Sequence, residues 1–202
     1  MKSNAFTSAE RTLIQKLNTP RKVQEYINAL DYNLEQSGET IRSFRKVFRD
    51  KTCHCLEAVH FAATILHEHG YPSLVLDLSS IDNLDHCLYL YRDGDNYGTI
   101  GISREKELYG KPSKFPTVHK LVMSYFDDYV SDTGCIDAYA VANLDDIPRA
   151  NWRFSERNVW QVQNYLIDLR HHRIDIPKQK VERLRKKYIE TVTANARDIA
   201  TS

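Results

Sequence analysis

A helix followed by a strand, near the middle of the chain, decides the fold. Residues 53–78 read CHCLEAVHFAATILHEHGYPSLVLDL. The apolar spacing predicts a helix from about His54 to His69, with Gly70 as its C-cap. At 100° per residue Cys55 lies in the first turn, on the core-facing side of that helix. Leu74–Leu78 follows as a buried strand.

The next stretch predicts a β-hairpin. Residues 86–102 read HCLYLYRDGDNYGTIGI, in which the turn signal Asp93-Gly94 separates two apolar runs. On the first of these strands His86, Leu88 and Leu90 share one face, and Cys87 takes the other face with the tyrosines. We therefore expect Cys87 to point away from His86.

Amphipathic segments flank this core on both sides. Ser8 is an N-cap candidate for a helix to about Leu17, and Thr19-Pro20 opens a second helix, ended by Gly38. Downstream we predict one more strand and three helices: residues 135–144 form the strand, and helices begin near Val118, Ser155 and Pro177. The sequence of elements predicts an α+β domain with an antiparallel sheet.

One domain accommodates all of these elements. The chain has 202 residues, which is an ordinary size for one core. We expect a single domain over residues 1–202, with a core at about 46–145 and added helices at about 8–37 and 155–195. The apolar stripe Val23, Ile27, Leu30 and Leu34 predicts that the N-terminal helices pack on the core.

Composition narrows the class of protein. Lys plus Arg is 28 against 27 for Asp plus Glu, a formal net charge of +1 that argues against a nucleic-acid binder acting through bulk charge. Runs free of charge are too short to span a bilayer, and residues 1–7 show no apolar leader segment. We therefore expect a cytoplasmic protein without a membrane partner, whose cysteines at 53, 55, 87 and 135 are free thiols.

A cysteine and a histidine are placed for thiol chemistry. A helix N-terminus lowers the pKa of a thiol through its aligned dipole and free N–H groups, and Cys55 lies at such a terminus. The same N–H groups can hold an oxyanion. His86 opens a strand that packs against the helix, and it is the candidate base.

These residues in this order resemble the transglutaminase-like group of cysteine enzymes. The resemblance rests on Cys55 opening a helix, on Gly70 closing it, on the strand at 74–78 and on Asp85-His86 before the hairpin. It covers roughly residues 53–103 and implies a papain-like core. It also implies a Cys nucleophile, a His base and no cofactor.

The family's third residue is missing from its usual place. That residue is an Asp or Asn at the end of the third strand, where residues 97–103 here read YGTIGIS without a carboxylate. Ser103 is the nearest polar substitute, and Asp77 and Asp85 are rival partners for the imidazole. An unoriented imidazole is a poorer base.

Other interpretations of the same residues stay open. Cys55 is also typical of a small core residue. Cys53, His54, Cys55, His86 and Cys87 are zinc-ligand types, although Cys-x-Cys is tighter than the usual Cys-x₂-Cys knuckle. We expect His60 and His67 to be solvated on the polar helix face, and His171-His172 to cap a helix. The basic stretch 178–187 is typical of a solvated helix face, with an acidic partner as the minority interpretation.

The leading hypothesis is an enzyme that attacks an amide or related acyl bond through Cys55, with His86 as the proton carrier. Hydrolysis and transfer to an amine share one acyl-enzyme, so the sequence does not choose between them, nor does it identify the substrate. The alternative is a catalytically weak or inactive relative that acts as a binding module.

Overall fold

A computed structural model describes residues 5–200 of the chain, with side chains through residue 193. Its helices and strands alternate in an α+β arrangement. The helices are α1 (Ser8–Lys16), α2 (Pro20–Ile27), α3 (Phe44–Asp50), α4 (Cys55–His67), α5 (Val118–Phe126), α6 (Trp160–Ile167) and α7 (Lys178–Ala200). The strands are β1 (Asp31–Tyr32), β2 (Thr52–Cys53), β3 (Leu74–Ser80), β4 (His86–Asp93), β5 (Asn96–Ile100), β6 (Ile136–Asn143) and β7 (His172–Arg173).

The central sheet has the order β5-β4-β3-β6-β7, and every neighbouring pair in it is antiparallel. The predicted hairpin is confirmed, because Tyr91 pairs with Gly98 and Asp93 with Asn96. β1 and β2 form a separate, parallel pair that places Tyr32 opposite Cys53.

The sheet separates two apolar clusters, as the period-2 pattern of β4 predicts. Cys87, Tyr89 and Tyr91 pack with α4 and the N-terminal helices. Leu88 and Leu90 pack on the other face with α5 and the start of α7. Both faces of β3 and β4 are therefore buried, and the end of β4 that bears His86 lies beside the N-terminus of α4.

Most of the predicted helix starts are confirmed, but several helices are shorter than predicted. Thr19 caps α2 by accepting from Lys22 N, with Pro20 at the first helical position. The helix ends at Ile27 rather than near Gly38, because the chain turns into β1, and Leu34 is 55% exposed. The helix predicted from Ser155 begins only at Trp160.

The helix α4 is buried all round, which corrects the expectation of a solvated polar face. Glu57, His60 and Thr64 are all fully buried. Glu57 accepts hydrogen bonds from the backbone of Arg42 and the side chains of Asn33 and Thr40, so it ties the segment after β1 to the start of the helix. No described helix is long and apolar enough to cross a membrane.

Candidate active site

Cys55 is the first residue of α4. The preceding residue, His54, occupies the N-cap position in an extended conformation, and Glu57 accepts a hydrogen bond from the His54 N–H at 3.1 Å. First-turn N–H groups such as that of Cys55 have no acceptor within the helix. The Cys55 side chain is half-buried, whereas the three other cysteines are buried. Cys55 is thus the most exposed of the four cysteines and lies at a helix N-terminus.

His86 contacts the Cys55 sulfur from the first position of β4. Its Nε2 lies 2.9 Å from the carbonyl oxygen of Leu108, and a carbonyl can only accept. Nε2 therefore carries the proton, and Nδ1 is left to accept from the thiol. A backbone carbonyl fixes the tautomer here, the task that a carboxylate performs in many catalytic triads.

The loop that presents Leu108 is anchored at both ends. At its start, Gln24 of α2 donates to the carbonyl of Gly101 at 3.0 Å and accepts from the Gly101 N–H at 2.9 Å. At its end, the Tyr125 hydroxyl donates to the carbonyl of Tyr109 at 3.0 Å. An N-terminal helix thereby contributes to the position of the carbonyl behind His86.

His54 is a second imidazole on the same sulfur. Its Nε2 lies 2.7 Å from the carbonyl of Thr40, and its ring also bonds the Cys55 sulfur. Burial lowers the pKa of His54, but the bond to Cys55, the charge there and Glu57 together raise that pKa to about 9. His54 is therefore a fixed positive charge near neutral pH.

Cys87 joins the site from the sheet. Its sulfur lies close enough to interact with that of Cys55, and its thiol donates to Asp77 Oδ1 at 3.3 Å. His171 bonds the other carboxylate oxygen at 3.1 Å and the carbonyl of Leu169 at 2.9 Å. His171 thus bridges the Asp77 carboxyl group and the carbonyl of Leu169, and burial raises the pKa of Asp77.

Side chains alternate between the two faces of the sheet along β4, but at the first residue of the strand this alternation does not keep His86 and Cys87 apart. Cys87 packs on the side of the sheet that faces α4, whereas His86 has the parity of Leu88 on the opposite face. Both nevertheless contact Cys55, because His86 is the first residue of the strand and reaches the sulfur at the end of the sheet.

The four thiols differ in acidity. The neighbouring Cys87 thiol, followed by the imidazoles of His54 and His86, holds the pKa of Cys55 well below its ordinary value and outweighs burial. The bond to Cys55 and burial raise the pKa of Cys87 well above the ordinary value. Burial also raises the pKa of Cys53 to about 12, and it raises that of Cys135. Cys55 is the acidic thiol of the set.

The three predicted partners of His86 lie elsewhere, and this corrects the predicted third site member. Asp77 binds Cys87 and His171, Asp85 accepts from the backbone N–H of Ser80, and Ser103 accepts from that of Glu105. Within the described residues the imidazole bonds the Leu108 carbonyl instead of any of them. A loop carbonyl displaces them because the chain after β5 folds back over the ring.

Two further histidine predictions are corrected. His60 is buried rather than solvated, and its Nδ1–H donates to the carbonyl of Arg42 at 2.8 Å. Burial lowers the pKa of His60 to about 4, so the ring is neutral near pH 7. His171 does not simply cap α6, because it also bonds Asp77, and His172 is exposed in β7. His67 is exposed, as predicted.

The zinc alternative gains no support from the geometry. Among the described residues no group of three or more His, Cys, Asp or Glu side chains is arranged to hold a metal ion. The basic stretch 178–187 forms the start of α7, where Lys180 pairs with Asp127 at 2.7 Å. Val181 and Leu184 of the same stretch pack against the core. This part of the chain is therefore only partly a solvated face.

Two tyrosines flank the thiol. Burial and the negative charge on Cys55 raise the pKa of Tyr32 to about 12, and Arg104 lies over the Tyr32 ring at 5.9 Å. The Tyr129 ring lies 6.3 Å from that of His86, and its hydroxyl donates to the carbonyl of Leu84. The negative charge on Cys55 also raises the pKa of Tyr129, after burial, so both tyrosines are close enough to the thiol to respond to its charge.

A cavity of about 480 Å³ lies next to this site. Tyr32 and the polar segment 33–40 line it, and Thr40, whose carbonyl holds His54, is shared between the cavity and the site. Cys55 is not among its lining residues. The cavity is within the size range of small-molecule sites.

Sequence analysis missed His54, Cys87 and the Leu108 carbonyl as members of the site. His54 had a usable signal, since a residue directly before a helix N-terminal Cys occupies the N-cap position. Cys87 was expected to point away from His86, and its contact with Cys55 depends on how β4 packs against that helix. A backbone carbonyl has no sequence signal at all.

Comparison with known proteins finds no matching family model and no significantly similar curated protein. The site is therefore interpreted from its own geometry.

Proposed function

We propose that the protein is a thiol-dependent acyl-transfer enzyme with a papain-like, transglutaminase-like core. The observation that carries this proposal is a half-buried thiol at a helix N-terminus in contact with two imidazoles. Helix dipole and hydrogen-bond donors together favour the thiolate, which is the form that attacks acyl carbon. The order of a Cys-bearing helix and a sheet strand that begins with His supports the assignment of the core.

The two imidazoles take different roles in this mechanism. His54, with a pKa of about 9, keeps its proton near neutral pH and stabilises the thiolate as a fixed charge. His86 has only the neutral Leu108 carbonyl behind it, so it is the ring left to move a proton. His86 Nδ1 takes the thiol proton when the Cys55 thiolate forms. Cys55 then attacks the acyl carbon, the bond to the leaving group breaks, and His86 delivers that proton to the leaving group.

The first turn of α4 completes the reaction centre. The N–H of Cys55 lies at the positive end of the helix dipole and has no acceptor within the helix, so it stabilises the oxyanion of the tetrahedral intermediate. Water or an amine then attacks the acyl-enzyme, with His86 as base. Hydrolysis and transamidation differ only in this second nucleophile.

A burst experiment tests the proposal. The wild-type protein is mixed with p-nitrophenyl acetate, and the release of p-nitrophenol is followed on the millisecond to second scale. We expect a burst equal in amount to the protein and an acetyl group that peptide mapping places on Cys55. The Cys55→Ala variant should show no burst, and Cys135→Ser, which removes a buried thiol on the other face of the sheet, should keep it. Addition of an amine such as methylamine then shows whether transfer competes with hydrolysis.

The alternative is a binding module with an inactive site. The lack of a carboxylate behind His86 favours this alternative. A folded wild-type protein that gives neither a burst nor an acetylated Cys55 would support the binding module and end the enzyme proposal.

A further inference from the structure

The site holds a second thiol that the proposed mechanism does not use. Cys87 is only 8% exposed, it belongs to the apolar cluster against which Cys55 packs, and its sulfur lies close enough to interact with that of Cys55. Cys53 lies closer in sequence but is fully buried in the apolar cluster, and Cys135 packs on the opposite face of the sheet. Of the four cysteines, Cys87 is therefore the one placed to react with Cys55.

A base is already bonded to this second thiol. Asp77 Oδ1 accepts from the Cys87 thiol at 3.3 Å, and His171 holds the other carboxylate oxygen at 3.1 Å. A buried carboxylate of this kind needs a reason to be there, because burying it is costly unless it is paired. Its contact with Cys87 gives it a chemical task beyond the hydrogen bond with His171.

We propose that Cys55 and Cys87 form a reversible disulfide when the protein meets a peroxide, with Cys55 as the oxidised thiol and Cys87 as the resolving thiol. The inference rests on the thiolate of the proposed function and adds a regulatory modification to the same site. The disulfide removes the nucleophile while it lasts. It also protects Cys55 from irreversible oxidation to the sulfinic acid.

The reaction balances in two steps. The Cys55 thiolate attacks one oxygen of hydrogen peroxide, the O–O bond breaks, and the products are Cys55 sulfenic acid and hydroxide, which becomes water on protonation. In the second step the Cys87 proton passes to Asp77, and the Cys87 sulfur attacks the Cys55 sulfur. The S–O bond breaks, and the leaving hydroxide takes up the proton that Asp77 received and departs as water. Two thiols and one peroxide thus give one disulfide and two waters.

Peptide mapping under non-reducing conditions tests the inference directly. Wild-type protein treated with an equimolar amount of hydrogen peroxide should yield a linked peptide pair containing residues 55 and 87, which dithiothreitol releases. With dimedone present, Cys87→Ser should accumulate the Cys55 sulfenic-acid adduct, whereas wild type should show little. Cys135→Ser is the matched control, and it should close the disulfide as wild type does.

The base is tested separately. Asp77→Asn should leave the first oxidation step unchanged but slow disulfide closure by about 100-fold, the lower end of what a positioned acid–base group contributes. The wild-type mapping decides the main point even if either variant fails to fold.

The outcomes separate this inference from the proposed function. A Cys55 sulfenic acid that persists in wild type, or a disulfide to Cys53, would overturn the inference and leave the thiolate mechanism standing. A Cys55 that reacts with neither peroxide nor p-nitrophenyl acetate would end both proposals.

Discussion

Removal of the His86 imidazole should slow the alkylation of Cys55 at acidic pH. In the wild type His86 is one of the groups whose hydrogen bonds hold the pKa of Cys55 down. A hydrogen bond to a charged group contributes about 1.5–3 kcal/mol, which corresponds to about 10- to 150-fold in the thiolate-to-thiol ratio. His86→Ala should lower that ratio by this factor at any pH below both titration midpoints.

The change in rate is smaller than the change in ratio. A more basic thiolate is a better nucleophile, with a Brønsted coefficient of about 0.4–0.5, so roughly half of the loss on a logarithmic scale is recovered. The net expectation is an alkylation rate about 3- to 15-fold lower at low pH. At high pH, where both proteins carry thiolate, His86→Ala should react at least as fast as wild type.

Iodoacetamide kinetics from pH 4 to pH 9 measure this effect, with mass mapping of Cys55. His172→Ala is the matched control, since it removes an exposed imidazole on the edge strand β7, three strands across the sheet from β4, and should leave the profile unchanged. A His86→Ala profile that superimposes on the wild type would show that the imidazole does not act on the sulfur, and the assigned role of His86 would then be wrong. A wild-type Cys55 that alkylates no faster than Cys53 or Cys135 would contradict the thiolate itself.

Three further outcomes follow from other contacts of the site. The raised pKa of His54 stabilises the folded state fully below about pH 6.5, and this contribution is lost as the pH rises through about 9. Urea titrations of wild type and His54→Gln measure it. The difference between their free energies of unfolding should shrink by about 2–3 kcal/mol from pH 6.5 to pH 9. Glu57→Ala should lower the free energy of unfolding by about 3–5 kcal/mol in the same measurement, because it removes the buried carboxylate that accepts hydrogen bonds from the segment at 33–42. The isosteric Glu57→Gln should lower it by less. Gln24→Ala should cost about 1–2 kcal/mol and slow Cys55 alkylation, since it frees the loop behind His86, while a mutation of its exposed neighbour, Glu25→Ala, should do neither.

The fold was predictable where periodicity is strong. The alternation on β4 indicated which residues face which layer, and the turn residues at 93–96 indicated the hairpin. Helix starts with caps or proline, such as Thr19-Pro20, were also predictable. Helix ends were less so, because tertiary structure ended α2 at Ile27 although the apolar spacing continues to Leu34.

The burial of α4 shows why amphipathic patterns can mislead. Glu57, His60 and Thr64 form a polar stripe that indicates solvent, yet the segment from Asn33 to Arg42 covers it and supplies its hydrogen bonds. A sequence pattern records that a face is polar, but not whether its partners are water or protein. Only the path of a distant segment decides this, and that path has no local signal.

The two principal residues of the candidate site could be predicted from the sequence, but the groups that hold them in place could not. Cys55 and His86 follow from residue type, order and placement on elements, which local sequence encodes. The partner of His86 does not, because it is a main-chain oxygen in a loop whose position depends on Gln24 and Tyr125. A search restricted to polar side chains names Ser103, Asp77 and Asp85 and cannot find it.

The neutral partner of His86 weakens the site by less than the missing carboxylate suggests. In a serine triad, replacing the orienting carboxylate by an amide costs about 10⁴ in rate, mainly because the imidazole then adopts the wrong tautomer. Here the Leu108 carbonyl can only accept, so Nε2 keeps its proton and the productive tautomer is retained.

What is lost is the negative charge that stabilises the imidazolium. The difference between a charged and a neutral hydrogen bond is about 1–1.5 kcal/mol, or roughly tenfold in rate. That loss falls on the steps in which His86 must carry a proton, whereas attack by a preformed thiolate needs no proton transfer from the thiol. In the proposed mechanism, p-nitrophenolate leaves without a proton from His86, so with p-nitrophenyl acetate deacylation should be slower than acylation, and this imbalance is the reason that the burst should be visible at all.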